Sequence, residues 1–191
     1  NVSVKTEEYL SEKFPCVMKE KNIWINSSIL PNEHLVTEIN SLRNGEVLKK
    51  GEEIIAVNNY KFMTSNLDEI ESHTEYNKIN DCWDIFSLNG EEIKNDFKHL
   101  VYDRDANTRF TLLSETNRCI GDYPIFIEEG AKIECSILNS TDGPIYIGKE
   151  AEIMEGSMVR GPFAMCNNSV LKMGTKIYGS TTLGPFCYVG G

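Results

Sequence analysis

Five side chains have the types and settings to hold an anionic, hydroxyl-rich ligand. Arg160 leads, because a guanidinium pairs bidentately with phosphate, and Lys172 adds a second positive charge. Asn167 and Asn168 break an apolar flow and can bond the hydroxyls of a sugar. Asn139 opens a cluster of turn formers ending at Pro144, and that loop is a further candidate. Charge points the same way: residues 157–191 hold Arg160, Lys172 and Lys176 and no acid, so they carry +3, and the total of −10 leaves −13 elsewhere. A phosphorylated ligand needs such a positive region in an acidic protein. The competing reading is plain solvation of outward-facing Arg and Lys, or a structural bulge at Asn139.

Other chemistries find little footing. The six cysteines, at 16, 82, 119, 135, 166 and 187, form no C-x-x-C pair and no metal spacing, as expected of reduced thiols packed as small apolar groups in a cytoplasmic protein. Gly45, Gly51 and Gly90 stand alone, without a G-x-G-x-x-G or P-loop pattern. So acidic a chain is a poor non-specific nucleic-acid binder. No apolar run is long enough to span a bilayer, and Asn1 to Thr6 show no signal-peptide start, so no membrane partner is expected.

The elements that must position these residues show a period of six. An aliphatic side chain recurs at Ile147, Ile153, Val159, Met165, Leu171, Ile177, Leu183 and Val189, and Ile127 and Ile133 extend the series backward. Neither a lone helix nor a simple strand has that period; a parallel β-helix does, each repeat being a short strand plus a corner. Three repeats per coil stack inward residues eighteen apart. The fifth place is small, at Ala131, Ala151, Ser157, Ser169, Thr175, Thr181 and Cys187, with Ile137 and Phe163 as exceptions. Glycines 148, 156, 161, 174, 179 and 184 are expected at corners. Ile133 to Ile147 is two repeats plus two residues, and the surplus is expected between Asn139 and Pro144.

Before the repeats the pattern is mixed. A short helix is expected from Thr6 to Phe14, a strand at Asn22 to Ile25, and a helix after Pro31 with Leu35, Val36, Ile39 and Leu42 on one face. Glu46 to Leu48 and Glu53 to Val57 read as a hairpin, and Asn58 to Lys78 gives only a weak helical signal around Leu67 and Ile70. Asp81 is a candidate cap, with Asp84 as its box partner, for a helix pausing at Asn89-Gly90 and resuming through Ile93, Phe97, Leu100 and Val101. Arg104 to Thr108 reads as a polar break and Phe110 to Leu113 as a strand.

The repeats resemble the left-handed β-helix of the hexapeptide acyltransferases over the residues from Ile127 onward. More narrowly, Trp83-Asp84-Ile85-Phe86, Ile127-Glu-Glu-Gly-Ala, Gly143-Pro-Ile-Tyr-Ile-Gly148 and Val159-Arg-Gly-Pro162 are similar to segments of the Bacteroidetes-type bifunctional sugar-1-phosphate nucleotidyltransferase and glucosamine-1-phosphate N-acetyltransferase family. That resemblance implies a partial Rossmann-like α/β nucleotide-sugar domain over 1–80, a helical arm and linker over 81–120, and an incomplete left-handed parallel β-helix over 121–191. It implies a homotrimer, a sugar phosphate or nucleotide sugar as ligand, acetyl-CoA or another acyl-CoA as donor, and a nucleoside triphosphate with Mg2+. The chain departs from the family in two places. The phosphate-binding glycine loop is missing, and His34, His73 and His99 all precede the repeats, leaving the coils without the histidine base of acyl transfer. The chain therefore reads as an internal fragment whose catalytic residues lie outside it; the alternative is a non-catalytic β-helix for trimerisation or sugar-phosphate binding.

Overall fold

The computed structural model describes residues 2–62, 66–102 and 112–190. It divides into two compact units, Asn1–Asn80 and Asp81–Gly191.

In the first unit, a single 3-10 turn at Glu8–Leu10 replaces the helix expected from Thr6, and no side chain caps it. Strand β1 (Ile23–Ile25) is followed by β2 (Ile29–Leu30) and helix α1 (Glu33–Ser41). Asn32 caps α1, its Oδ1 accepting the Leu35 N–H at 3.0 Å, which satisfies one of the orphan donors of the first turn. Leu35 and Ile39 turn inward with Leu42, whereas Val36 is exposed, so the buried stripe is narrower than the sequence suggested. The hairpin forms as β3 (Glu46–Lys50) and β4 (Glu53–Asn58), turning at Gly51 with φ +58. The Leu67–Ile70 region is strand β5 (Asp68–Glu71), and β6 (Asn77–Lys78) follows. The sheet runs β1-β4-β3-β5, antiparallel except for the β3–β5 pair, with β2–β6 as a separate antiparallel pair. Helix α1 covers this sheet through Ile29, Leu35, Ile39, Leu42, Leu48, Ile55 and Ala56. Each of these leucines and isoleucines contributes about 1.5–3 kcal/mol by leaving water.

The second unit opens with α2 (Asp84–Ser87) and α3 (Asn89–Tyr102), the break falling at Leu88. The Asp84 carboxylate accepts the Asp81 N–H at 3.0 Å, but α2 begins only at Asp84 and Trp83 stands at its N-cap with no side-chain cap bond, so Asp81 is not the cap expected from the sequence. Arg104 to Thr108 and the first two residues of the Phe110–Leu113 segment lie outside the described residues; Leu112 and Leu113 are not in a strand.

Twelve short strands then wind into stacked coils. They are β7 (Arg118–Ile120), β8 (Ile125–Ile127), β9 (Lys132–Ile133), β10 (Ile137–Asn139), β11 (Ile145–Ile147), β12 (Glu152–Ile153), β13 (Met158–Arg160), β14 (Phe163–Met165), β15 (Val170–Leu171), β16 (Lys176–Ile177), β17 (Thr181–Leu183) and β18 (Tyr188–Val189). Every third strand pairs in parallel, giving three four-stranded sheets: β7-β10-β13-β16, β8-β11-β14-β17 and β9-β12-β15-β18. The first strand thus begins at Arg118, ahead of Ile127. Ile147, Ile153, Val159, Met165 and Leu171 are almost fully buried along the axis.

The register corrects two sequence expectations. Ser136, at 2% exposure, fills the small inward place, and Leu138, at 0%, is the inward aliphatic paired with Val159, so Ile137 is no exception to the rule. The corner at Cys135, with φ +50, is one residue short. The loop from Asn139 to Pro144 therefore carries three extra residues rather than two. Phe163 does break the rule: it stacks on Ile145, both at 0% exposure, so this corner holds large side chains. Elsewhere the small place is polar for a reason. Ser157 Oγ donates to the Lys172 carbonyl at 3.2 Å and Ser169 Oγ to that of Gly184 at 2.7 Å, so inward hydroxyls satisfy corner carbonyls.

Corners are not simply glycine. Gly156 and Gly174 do take the left-handed conformation, but so do Glu150, Asn168 and Phe186, eighteen residues apart on another edge. Helix α3 lies on the sheet containing β14 and β17. Asn89 Nδ2 donates to the Ser180 carbonyl at 3.0 Å, and its Oδ1 accepts from Thr182 Oγ1 at 2.8 Å. Ile93 and Phe97 are buried in this arrangement.

Candidate functional site

The outward face of the β7-β10-β13-β16 sheet is the first candidate. Inward and outward side chains alternate along each strand, so burying Leu138, Val159 and Ile177 presents their neighbours on the surface. Asn139 and Arg160 are register partners on adjacent strands. They line a groove of about 260 Å³ with Ile137, Met158, Val159, Lys176, Ile177 and Tyr178. Arg160 Nε is 3.1 Å from Asp142 Oδ2, both side chains being half exposed. Asn139 Oδ1 accepts the Thr141 N–H at 3.0 Å, a local turn bond that fixes the start of the loop. The groove thus offers two cations, an amide and a phenol over an aliphatic floor, which suits an anion joined to hydroxyl groups.

The other three sequence candidates lie elsewhere. Lys172 follows β15 with an exposed side chain, and its carbonyl is used by Ser157 and by Thr175 Oγ1 at 2.6 Å. Asn167 Oδ1 accepts the Lys149 N–H at 3.2 Å, and Asn168 stands in the left-handed corner with its N–H on the Lys149 carbonyl at 3.0 Å. Both asparagines therefore hold a corner between coils. From the sequence Lys176 counts only toward the positive charge and Tyr178 not at all, although each stands one coil of eighteen residues beyond Met158 and Arg160.

The first unit carries a second concavity. Lys5, Trp24, Ile25, Asn26, Ser27, Ile54, Ile55 and Phe62 surround about 310 Å³. Trp24 and Phe62 meet edge to face, centroids 5.9 Å apart at 63°, and Lys5 Nζ lies 5.0 Å from the Phe62 centroid.

Elsewhere in the first unit Glu53 pairs with Lys78 and accepts the Tyr76 hydroxyl at 3.1 Å. The Lys78 hydrogen bond is the main reason the Glu53 carboxyl sits below its ordinary range. Burial, followed by that bond to Glu53, pushes the Tyr76 phenol up to about 12. In the second unit, burial raises Asp96 on α3, opposed by the charge of His99. All six cysteines are free thiols. Among the described residues no group of three or more His, Cys, Asp or Glu side chains could hold a metal ion. No helix of the described residues is long and apolar enough to cross a membrane.

Compared with known proteins, residues 1–105 match the family described as sugar nucleotidyl transferase, a span that takes in the first unit together with α2 and α3. No curated protein matches the chain. With more than half of its length matched, the chain belongs to the sugar nucleotidyl transferase family.

Proposed function

We propose that this chain is part of a sugar-1-phosphate nucleotidyltransferase, a uridylyl- or thymidylyltransferase for example, that also carries an acyl-CoA-dependent sugar N-acetyltransferase on its coils. The nucleotidyl half is carried by one observation, the family match over residues 1–105. In it, the first unit is a portion of a Rossmann-like nucleotide-sugar domain, the triphosphate arrives with Mg2+, and the sugar phosphate is the acceptor. The acyl half is supported by the three parallel sheets of six-residue repeats. There the coils are left-handed, assemble as a cytoplasmic homotrimer and use acetyl-CoA or another acyl-CoA. Arg160 binds the phosphate of the sugar phosphate, Asn139 a hydroxyl, and Lys172, Asn167 and Asn168 serve a separate surface near the corners.

The competing function is a β-helix that assembles the protein without catalysis, and one observation favours it: the coils from Ile127 on contain no histidine. Two assays of the full-length protein separate the two. Pyrophosphate release from UTP or dTTP with a sugar 1-phosphate tests the first half, and acetyl-CoA turnover with glucosamine 1-phosphate tests the second. Turnover in both supports the bifunctional enzyme. Pyrophosphate release alone restricts the coils to assembly, and neither activity leaves only the structural role.

A further inference from the structure

We propose that the cleft between Lys5, Trp24, Ser27 and Phe62 in the first unit is a binding site for a hexose phosphate. The class of ligand rests on the nucleotidyl-transfer function above; the site itself rests on geometry. The cleft's volume of about 310 Å³ falls at the small end of ligand clefts, which run from about 300 to 1,000 Å³. It suits a monosaccharide phosphate better than a whole nucleotide sugar.

The walls match the two halves of such a ligand. Trp24 is fixed at one end by its Nε1–H, which donates to the Asn59 carbonyl at 3.0 Å, and Phe62 abuts it edge to face. Two held rings give an apolar wall for the C–H face of a pyranose. Lys5 supplies the charge. Its ammonium lies over the Phe62 ring, and among the described residues it has no carboxylate partner and is the one cation lining the cleft. An ammonium on a ring face keeps its N–H donors for a phosphate. In a chain of net charge −10, that positive charge beside a cleft sets where an anion settles.

The backbone below is tied by the Asn26 side chain. Asn26 Nδ2 donates to the Ile54 carbonyl at 3.2 Å, and its Oδ1 accepts from Ser28 N–H at 3.1 Å and from Ser28 Oγ at 2.8 Å. With Asn26 committed to the end of β1, the exposed Ser27 is left at the rim to meet a sugar hydroxyl.

Trp24 and Trp83 are the two tryptophans, so Trp83→Phe leaves Trp24 as the reporter. The full chain on that background is titrated with glucose 1-phosphate, glucose and inorganic phosphate while Trp24 emission is followed. Glucose 1-phosphate is expected to give a saturable change, with glucose and phosphate each at least tenfold weaker. Lys5→Gln and Phe62→Leu, with far-UV spectra and unfolding midpoints like the parent, are each expected to weaken it by about tenfold or more, the loss of one charge-assisted contact or one ring wall. No saturable change, equal affinity in Lys5→Gln, or phosphate binding as tightly as the sugar phosphate would overturn the proposal. Binding and turnover keep the two ideas apart. Binding without nucleotidyl transfer in the full-length protein rejects the enzyme and keeps the cleft, whereas transfer with an unaltered KM for the sugar phosphate in Lys5→Gln rejects the cleft and keeps the enzyme.

Discussion

Asp142 reaches back over the coil that follows it and places Oδ2 3.1 Å from Nε of Arg160. The contact exists because the loop from Asn139 to Pro144 is three residues longer than a regular corner. It holds the groove's guanidinium in place and at the same time offsets its charge.

Asp142→Asn removes that offset. Both side chains are half exposed, so stability should change by no more than about 1 kcal/mol in a chemical denaturation curve. Affinity of the groove for a sugar phosphate should rise a few-fold at low salt, and the gain should shrink as ionic strength increases. In Arg160→Gln the gain should vanish; an unchanged affinity in both variants would remove Arg160 from the ligand.

Gly90 sits where α3 meets a corner of the coils. A Cβ there would lie 2.3 Å from Ser180 Oγ and 3.0 Å from Ser180 Cβ. Gly90→Ala should therefore destabilise the protein by about 1–2 kcal/mol, despite the better helix propensity of alanine. Adding Ser180→Ala removes the nearest atom and should recover most of the loss. If Gly90→Ala is as stable as the parent, the helix does not dock this closely.

Phe163 occupies a place that is small in most other repeats, and it is fully buried against Ile145. Phe163→Ala should cost about 3–5 kcal/mol by leaving a cavity in the axis of the coils. Met158→Ala, on the same coil but exposed, should cost well under 1 kcal/mol in the same denaturation experiment.

Tyr76 ionises late because burial and Glu53 both disfavour its phenolate, which raises its pKa from 10.0 to about 12. The folded state then holds this proton more tightly than the unfolded one, so the stabilisation is complete below pH 10 and is lost as pH rises toward 12. Denaturation midpoints should fall more steeply over that window in the parent than in Tyr76→Phe. An ultraviolet titration should show a phenolate step at about 12, and Tyr76→Phe should abolish that step.

Much of the second unit could be read directly from its residues, because the property that repeats in sequence is the one that repeats in space. Ile153, Val159, Met165 and Leu171 are aliphatic every sixth position and buried every sixth position. The slip at Cys135 escaped notice because Ile137 and Leu138 are both aliphatic; hydrophobicity cannot say which of two such neighbours turns inward, and the left-handed backbone of Cys135 decides it. Strand β5 was hidden for a different reason. Asp68 to Glu71 are all exposed, and the strand is held by backbone pairing with β3, which leaves no side-chain pattern to read. Of the groove, Arg160 was visible as a guanidinium in the cationic repeats and Asn139 as the start of a cluster of turn formers. Lys176 and Tyr178 join them only when outward positions are stacked one coil apart, a step normally applied to the core. The first unit's cleft left no trace, since Lys5, Trp24 and Phe62 come together from three separated segments.

The central claim is nucleotidyl transfer to a sugar phosphate. Phosphorus NMR of the full-length protein with UTP or dTTP, Mg2+ and a hexose 1-phosphate tests it most directly. The triphosphate signals are expected to disappear while those of a paired diphosphate diester and of pyrophosphate grow. Triphosphate and hexose phosphate that persist unchanged across the common sugar phosphates with both nucleotides would contradict it.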